Sequence, residues 1–579
     1  MRRYLIAVFL LNLAQLVYSP QALAGGLEYA GGGTTALGRG GATAARADTP
    51  MVIVNNPAGL AELRGHQMMV NADFTRLDAC VTPTGTYGWG TGGVSGKVRF
   101  TDPVSGRVEE LDLTTKSEES DAYFNAPYDK VCLDPSKAPI PQFAFSLRLS
   151  ERLGFGGGMV FPAILPQGTW GSSNGIIQGA SGLRPAITRY MQIDSNNLGL
   201  FPTAGIGYRL FDWMRVGIAL EWGMVAASLT NATTLDSGTN PSDDYIAHIS
   251  GEDFFVPGAT ASIHLVPMDS LDIVLGAKVQ DQATASGRAK VTSGVFSSGN
   301  LPVVNRLNVL RLTQAFPWKL WAGIRFADRI RARPKGTGLN EGEFGPASEP
   351  VHDPLTDERW DVEVDAVYEL NSMLDMQSAR FQRGQAIESQ TLDGIPSQVE
   401  FPQPSTPPLD IPKNLQNQLS LRLGSTINLV PGLLGISLGG HYENRGVTPA
   451  WMQLDTWGVQ RVGLHAGATV RVGPIDFKIA YAHIFQETIT VAPPPHVDAG
   501  QVMAPQTYAD APGVVDRRVG LSPGRGQAIP APDTTEYVGD GVASVRQIVA
   551  KPTRQVSIVN AGTYESSIDV FSIGMQAHF

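Results

Sequence analysis

The sequence predicts an all-β fold, a transmembrane antiparallel β-barrel of about fourteen strands with an N-terminal plug inside its lumen. Three observations lead there: an export signal, segments with alternating apolar and polar residues, and gaps between them that alternate between short and long. After residue 25, no apolar stretch approaches the ~18–20 residues that a spanning helix needs. The predicted domains are a signal peptide (1–24), a plug (25–63) and the barrel with long external loops (64–579).

The first residues have the three parts of an export signal. Arg2 and Arg3 supply positive charge, residues 4–13 form an apolar run broken by Asn12, and residues 22–24 read Ala-Leu-Ala. The alternative is a membrane-anchoring helix, but the apolar run is too short to span ~30 Å of hydrocarbon. We therefore expect cleavage near Gly25 and an exported mature chain.

The composition favours strands and turns over a typical soluble enzyme. The chain of 579 residues has 64 Gly and 40 Pro, and only 17% of its residues are charged, compared with about 25% in average proteins. The net charge of −10 argues against a nucleic-acid partner, because phosphate binding requires clustered Lys and Arg.

Period-two alternation marks individual strands. In residues 214–224 every second side chain is apolar, whereas an amphipathic helix would space its apolar residues by three and four. A soluble β-sandwich also alternates, so the pattern alone does not decide. The strands are predicted near 66–78, 140–150, 153–163, 202–211, 214–229, 255–266, 271–282, 305–326, 357–370, 416–429, 434–443, 460–472, 474–488 and 564–579.

The connections between these strands favour an outer-membrane barrel, in which short turns at one end alternate with long loops at the other. The exception is residues 329–358, which should form a short turn and are long. Either the strand register slips there or the chain carries an insertion. The last strand ends on Phe579, which resembles the C-terminal signal recognised by the barrel assembly machinery.

A barrel of about fourteen strands should enclose a lumen that leaks unless it is filled. Residues 25–63 precede the first strand and lack its alternation, so they are the candidate plug; a flexible periplasmic tail is the alternative. Small residues at inward positions would let a plug approach the wall, namely Gly205, Gly207, Gly217, Gly223, Gly276, Gly435 and Gly439.

Three short stretches in this segment resemble the N-terminal hatch signature of the long-chain fatty acid transporter (FadL) family. They are residues 36–42 (ALGRGGA), 47–49 (ADT) and 55–61 (NNPAGLA). The resemblance implies that Asn56, Pro57 and Ala58 belong to a ligand-responsive hatch. It also implies passive uptake of hydrophobic small molecules, fatty acids or hydrocarbons, across a bacterial outer membrane whose lipid surrounds the barrel. An ordinary surface turn is the alternative for the Asn-Pro-Ala core.

In that family the third strand is kinked and substrate can leave sideways. The third predicted strand here contains Gly154, Gly156, Gly157, Gly158 and Pro162. Glycine weakens a strand and proline removes a hydrogen bond from the ladder, so a wall defect is expected there. A strand that is merely twisted is the alternative.

Apolar loop residues are candidates for ligand capture, because an apolar ligand needs exposed apolar surface. They are Ile176, Ile177, Leu183, Trp451 and Met452, which could equally anchor loops by packing. Cys80 and Cys132 are a possible disulfide in the first long loop, the alternative being two unrelated thiols.

Catalytic signatures are absent from the sequence. It contains no Gly-x-Ser-x-Gly elbow, metal-spaced His pair or Walker loop, so no enzyme activity, metal site or cofactor is expected. Asp361, Glu363, Asp365 and Glu369 share one face of a strand and are interpreted as solvated lumen wall, which is favoured over acid/base chemistry. Two other functions remain open, a general diffusion porin for hydrophilic solutes and a barrel for adhesion or surface structure.

Overall fold

The computed structural model describes most of the chain. The described residues are 32–85, 97–101, 108–112, 126–135, 139–160, 167–179, 182–234, 244–294, 303–330, 353–374, 376–381, 387–390, 396–399, 409–413, 415–455, 457–491, 504–507, 528–530, 538–540, 543–545, 553–558 and 560–579. The predicted signal peptide, residues 25–31 of the predicted plug, and Pro162 lie outside them.

Fourteen antiparallel strands close into a barrel, as predicted. Each barrel strand pairs with the barrel strands that come before and after it in the chain. β1 pairs with β2 and also with β14, which closes the sheet. The strands are β1 (Gln67–Pro83), β2 (Ile140–Arg148), β3 (Leu153–Val160), β4 (Asp194–Phe211), β5 (Met214–Thr234), β6 (Asp244–Met268), β7 (Leu271–Gln280), β8 (Lys319–Arg329), β9 (Glu358–Glu369), β10 (Gln418–Val430), β11 (Leu434–Glu443), β12 (Arg461–Val472), β13 (Ile475–Gln486) and β14 (Gly562–His578).

The alternation in sequence becomes an apolar outer face and a polar inner face. On β5, Leu220 and Trp222 are 63% and 56% exposed, whereas Arg215 and Ala219 are buried. An outward apolar surface is typical of barrels that lie in lipid. Among the described residues, no helix is long and apolar enough to cross a membrane.

Short turns gather at one end of the barrel, which we call the tight-turn end; the opposite end is the long-loop end. Gly432 and Gly473 lie in two of these turns with φ of 78° and 60°, a left-handed conformation that glycine adopts without strain. The connection between β8 and β9 also lies at this end although it is long. Because β8 pairs with β7 and β9, and β9 pairs with β10, in chain order, the alternation of strands does not slip there and this connection is an insertion.

A short helix ends that insertion. Helix Pro354–Asp357 is capped by Asp353, whose Oδ1 accepts a hydrogen bond from the backbone N–H of Leu355 at 3.2 Å. Arg471 of β12 forms an ion pair with Asp353. The helix is thereby attached to the barrel wall at the tight-turn end.

Beyond the barrel, the outer part of β6 continues into a second run of strands that we call the extension. It comprises Ala283–Ser293, Val303–Gln314, Met376–Phe381 and Leu409–Pro412, paired in that order. The single strand predicted at 305–326 is therefore wrong, because it is two strands separated by residues 315–318. Pro317 cannot donate to a ladder, and Phe316 is buried against Phe201.

The remaining elements are short. The other helices are Thr34–Gly38 and Val52–Asn55, with 3-10 turns at Pro57–Ala61, Ile187–Tyr190, Asn371–Leu374 and Pro449–Trp451. The other strands are Lys97–Thr101, Val108–Asp112, Val131–Pro135, Gly168–Trp170, Ile176–Gly179, Gly182–Pro185, Ile387–Gln390, Pro396–Val399, Ile489–Val491, Ala504–Thr507, Ala528–Pro530, Val538–Asp540, Ala543–Val545 and Thr553–Ile558.

Candidate functional site

Residues 32–63, here called the N-terminal segment, lie against the inward polar face of the sheet. The backbone of this segment comes close to the wall at positions where the wall residue is glycine. A Cβ atom on Gly217 would lie 2.1 Å from the amide nitrogen of Ala58, and one on Gly439 would lie 2.2 Å from the carbonyl carbon of Arg39. Larger residues at these two positions would displace the segment.

The inward glycines named from the sequence divide into two groups. Gly207, Gly217 and Gly439 face the N-terminal segment, as expected for a wall that admits a close neighbour. The other four face parts of the barrel or its turns: Gly205 faces Ala219, Gly223 faces Phe201, Gly276 faces Trp321, and Gly435 faces Leu355 and Asn428.

Arg39 holds the segment to β9 by charge. Its side chain is fully buried, and its two terminal nitrogens contact Asp361 at 2.8 Å and Glu363 at 3.2 Å. Nη1 also donates to Oγ1 of Thr426 at 2.5 Å, and Nε donates to the carbonyl of Ala42 at 3.0 Å. A buried guanidinium needs such partners, because an unpaired buried charge is strongly destabilising.

Asp361 is shared by three arginines. Its Oδ2 accepts from Nη1 of Arg46 at 2.9 Å and from Nε of Arg325 at 2.6 Å, while Oδ1 contacts Arg39. Arg325 extends the cluster to Asp272 and Glu358, which Arg329 also contacts. We call this cluster the arginine–carboxylate network; its members are Arg39, Arg46, Arg325, Arg329, Asp272, Glu358, Asp361 and Glu363.

Carboxylates on β9 also bind the backbone of the segment. Asp365 Oδ2 accepts from the N–H groups of Thr43 and Ala44, each at 3.0 Å, and Glu363 Oε1 accepts from that of Ala45 at 2.6 Å. The sequence placed these carboxylates correctly on one strand face, but the expected solvated environment is wrong, because Asp361, Glu363 and Asp365 are buried against the N-terminal segment or its arginines. The partners of these carboxylates were not predicted. The sequence did hold a signal for them, because three carboxylates at every second position of one strand could have been matched to the two arginines of the predicted plug.

The Asn-Pro-Ala core of the family-like motif docks on β6. Asn56 is fully buried; its Oδ1 accepts from Ser262 Oγ at 2.9 Å, and its Nδ2 lies 3.2 Å from Nδ1 of His264. Pro57 follows, and the N–H of Ala58 donates to Ser262 Oγ at 2.9 Å. His264 in turn contacts Asp272 at 2.9 Å, so the motif is joined to the arginine–carboxylate network.

The glycines of the third strand make room for neighbouring side chains and backbone. A Cβ on Gly154 would lie 2.0 Å from the carbonyl oxygen of Leu60, and Gly156 faces the Leu60 side chain. Gly157 lies beneath the ring of Phe145, and Gly158 beside the Phe143 carbonyl. Over Leu153–Val160, β3 pairs with β2 and β4 without a shift in register. The described part of this strand therefore contains no bulge.

Along several strands the inward side chains change from polar to apolar on going towards the long-loop end. On β1 the buried inward residues are Gln67, Met69, Asn71 and Asp73, and then Leu77, Ala79 and Val81, so polar side chains occur only in the first half. On β13 and β14 the same change runs from Asp476 and Lys478 to Ala480, Ala482 and Ile484, and from Gln576 and Ser572 to Val570 and Ile568.

Loop residues pack against this apolar part of the wall. Trp170 and Trp457 stack with ring centroids 5.6 Å apart, and Trp457 also contacts the ring of Tyr564. The wall and loop residues form one buried cluster, which we call the apolar compartment; it includes Leu77, Ala79, Val81, Trp170, Ile177, Ile187, Tyr190, Met191, Trp451, Met452, Trp457, Ala482, Ile484, Tyr564, Ile568 and Val570.

The residues predicted to capture ligand at an exposed surface are mostly not exposed. Ile177, Trp451 and Met452 are buried in the apolar compartment, and Ile176 is buried as well. Leu183 is half-buried. The expectation of exposure is thus wrong for the first four, because loop residues that are apolar gain more by packing into the barrel mouth than by facing water.

A polar clamp fixes the 3-10 turn Ile187–Tyr190 over the apolar compartment. Arg189 Nε pairs with Asp244 Oδ2 at 2.6 Å, and the hydroxyl of Tyr190 donates to Asp244 Oδ1, also at 2.6 Å. Burial raises the pKa of Tyr190 well above its usual range, so that the hydroxyl keeps its proton. The turn is held on the start of β6.

Two further sequence expectations can be located in the structure. Cys80 and Cys132 form a disulfide that joins β1 to the strand Val131–Pro135. Phe579 follows β14; its backbone N–H donates to the carbonyl of His66 at 2.8 Å, and its side chain is exposed. In the described ranges, no group of three or more His, Cys, Asp or Glu side chains could hold a metal ion.

Comparison with known proteins supports the fold. No protein-family model matches the chain, and no curated protein matches it in sequence. A crystal structure of a Pseudomonas aeruginosa FadL homologue is 12% identical, with a TM-score of 0.58 over 96% of this chain and 99% of that one. The toluene transporter TbuX of Ralstonia pickettii is 13% identical, with a TM-score of 0.49 over 95% and 99% of the two chains. The predicted resemblance is thus confirmed at the level of fold, and the chain has the barrel fold of the FadL homologue.

Proposed function

We propose that the protein is an outer-membrane channel for the passive uptake of hydrophobic small molecules, such as long-chain fatty acids or hydrocarbons. The observation that carries this proposal is the apolar compartment at the long-loop end of the lumen. A channel for hydrated solutes gains nothing from a lumen lined by Trp, Leu, Ile and Val side chains, whereas an apolar ligand is stabilised there by removal from water.

The outer surface supports a membrane location. Apolar side chains alternate outward on successive strands, and aromatic residues such as Trp213, Trp222, Trp360 and Phe571 are exposed among them. In water such a surface would aggregate, whereas in an outer membrane it would face lipid. The proposed partners of the folded protein are accordingly outer-membrane lipid and, during insertion, the barrel assembly machinery.

The N-terminal segment is proposed to be the plug, and Asn56, Pro57 and Ala58 its hatch. It lies between the apolar compartment and the tight-turn end, and the arginine–carboxylate network ties it to the wall. A ligand leaving the compartment therefore needs either a movement of the segment or a lateral exit. The proposed lateral exit is at β3, the strand whose described ladder with β4 runs from Leu153 to Val160.

Uptake measurements on cells that lack their own transport proteins test this function. The full-length chain should accelerate uptake of a labelled long-chain fatty acid or of a hydrocarbon, and should not accelerate that of a hydrophilic sugar. Ala482→Asp places a carboxylate in the apolar compartment and should lower hydrophobic uptake by about tenfold, because burying an unpaired charge is costly. Ala482→Val, which keeps the position apolar, is the matched control.

Folding of each variant is checked by heat-dependent electrophoretic mobility of the barrel. If the wild type accelerates sugar uptake as strongly as fatty acid uptake, the general porin is the better description. If Ala482→Asp is folded and transports at the wild-type rate, the apolar compartment is not the route and the proposal fails.

A further inference from the structure

The side-chain amide of Asn56, in the proposed hatch, is held in one orientation by its neighbours. Its Oδ1 accepts hydrogen bonds from the backbone N–H of Gly59 at 3.2 Å and from Ser262 Oγ at 2.9 Å. The hydroxyl hydrogen of Ser262 is available for this bond, because its oxygen accepts from the N–H of Ala58 at 2.9 Å. The other amide atom, Nδ2, therefore donates to Nδ1 of His264, at a distance of 3.2 Å.

This acceptor role of Nδ1 defines the tautomer of His264. A neutral imidazole has one nitrogen with a proton and one without. Because Nδ1 accepts from Asn56, the proton is on Nε2, which donates to Oδ1 of Asp272 at 2.9 Å. The second oxygen of Asp272 contacts Arg325 at 3.3 Å and Arg329 at 3.0 Å. The Asp272 carboxylate thus sets the tautomer in which the ring binds the hatch.

A second proton on His264 would remove the acceptor that Asn56 uses. Both ring nitrogens of an imidazolium are donors, so Nδ1–H would face the amide nitrogen, which is also a donor. The amide cannot turn over to offer its oxygen, because its nitrogen would then face the N–H of Gly59. Asn56 and His264 are fully buried, and a buried donor without an acceptor is costly. Protonation of the ring therefore destabilises the docked hatch.

The charged groups around His264 belong to three strands and to the N-terminal segment. Asp272 on β7 contacts the ring and favours its protonated form, because an adjacent anion stabilises a cation. Arg215 on β5 lies directly opposite His264 in the strand register and opposes protonation, as do the two arginines of β8 that contact Asp272. Glu62 of the segment pairs with Arg215. The charge in direct contact with the ring is thus a carboxylate.

We propose that His264 is the positioning residue of the hatch: its neutral ring holds Asn56 on β6, and a proton on Nδ1 releases the motif. The effect acts through Asn56 alone, because the other hydrogen bonds of the motif end on Ser262 or within the motif itself. This inference rests on the proposed role of the N-terminal segment as a plug, and it adds a dependence of the hatch on pH.

Hydrogen exchange of the full-length protein in detergent tests the proposal without a transport measurement. The amides of Ala58 and Gly59 are followed at about pH 8 and about pH 5, the range in which histidine changes charge, and each rate is corrected for the intrinsic effect of pH. His264→Asn offers an amide oxygen in place of Nδ1 and does not titrate. His483→Asn is the matched control, because His483 also contacts a carboxylate, that of Asp569, but lies on the outward face of β13.

We expect the amides of Ala58 and Gly59 to exchange about tenfold faster at the lower pH in the wild type and in His483→Asn, because a buried hydrogen bond is lost. In His264→Asn they should exchange slowly at both values. Exchange that is independent of pH in the wild type overturns the proposal, and so does a pH dependence that persists in His264→Asn.

Nitrogen NMR of the His264 ring is the second measurement, because it shows which ring nitrogens carry a proton. If His264→Asn loses protection at both pH values, this spectrum of the wild type decides. Faster exchange that accompanies protonation of Nδ1 supports the proposal, whereas faster exchange with Nδ1 still unprotonated overturns it. Fatty acid uptake by the wild type is measured separately, so that failure of the transport function is distinguished from failure of this inference.

Discussion

Arg39 and Asp361, 322 residues apart in the chain, form a fully buried ion pair with an Nη1 to Oδ1 distance of 2.8 Å. One partner belongs to the N-terminal segment and the other to the wall strand β9. The same carboxylate also binds Arg46 and Arg325. Any movement of the segment away from the wall therefore has to separate or rearrange charges that are shielded from water.

Replacing Arg39 should loosen the N-terminal segment. Arg39→Met leaves Glu363 with a backbone amide as its remaining partner in the segment, and breaking a buried pair costs about 3–5 kcal/mol. We expect a higher ion conductance in planar bilayers than the wild type shows. Arg39→Met combined with Glu363→Gln should lower the conductance again, because no uncompensated charge remains on Glu363.

Arg76→Met is the control for this experiment, because Arg76 forms its ion pair with Asp78 on the exposed side of β1. It should leave the conductance unchanged. A conductance of Arg39→Met equal to that of the wild type would show that the network does not hold the segment in place.

A larger residue in place of a wall glycine should also loosen the N-terminal segment and raise the conductance, without changing the charge of the protein. In Gly217→Val the new side chain would occupy the place of the Pro57–Ala58 backbone, and the motif would have to leave Ser262. We expect raised conductance with the barrel still folded. Gly473→Asn is the control, because this turn position has free space around it and asparagine tolerates its left-handed backbone. Equal conductance of the two variants would argue against the close fit.

The disulfide should matter for the long-loop end more than for the barrel. Cys80 and Cys132 enclose a separation of 52 residues, and such a cross-link restricts the unfolded chain by about 4 kcal/mol. Cys80→Ser with Cys132→Ser should keep the folded electrophoretic mobility of the barrel at room temperature and lose it at a lower temperature than the wild type does. An unchanged transition temperature would contradict this expectation.

The helix Pro354–Asp357 should make stability depend on pH through Asp353. Burial opposes ionisation of this carboxyl, but the hydrogen bond and charge of Arg471 outweigh it and hold the pKa of Asp353 below its usual 3.8. A lowered pKa stabilises the folded protein above the ordinary value, and this stability is lost as the pH falls through the folded pKa. Asp353→Asn should therefore unfold at a lower temperature than the wild type at pH 7.

The difference between the two unfolding temperatures should persist at pH 5 and shrink as the pH falls below 3.8. A difference that is constant down to pH 2 would mean that the Asp353 charge contributes nothing. Asp328→Asn is a suitable comparison, because Asp328 pairs with the exposed Arg359 and its replacement should have little effect at any pH.

The barrel could be predicted from the sequence because the alternation of apolar and polar residues along a strand is a local property. The side chains of residues 214–224 alternate regardless of their partners, and the tight turns lie beside the strands they connect. The strand predicted at 305–326 failed for a local reason as well, since Pro317, which cannot donate to a ladder, lies between two separate strands. Segment 329–358 could be recognised as irregular but not understood, because its anchor, Arg471, comes more than a hundred residues later.

The candidate site depends on contacts that no local pattern encodes. The motif around Asn56 was recognisable, but its partners Ser262 and His264 are some two hundred residues away. Loop residues such as Trp451 and Met452 were recognised as important apolar residues and assigned to the wrong environment. Alternation distinguishes inward from outward positions on a strand, whereas the environment of a loop side chain is set by how the loop folds back.

The most direct test of the central claim is a structure of the full-length protein, determined in detergent with a bromine-labelled long-chain fatty acid. The proposed function predicts bromine signal within the apolar compartment, beside Trp170, Trp457 and Tyr564, and on the long-loop side of Asn56. Ordered water filling that space, with bromine only on the outer surface of the barrel, would contradict it.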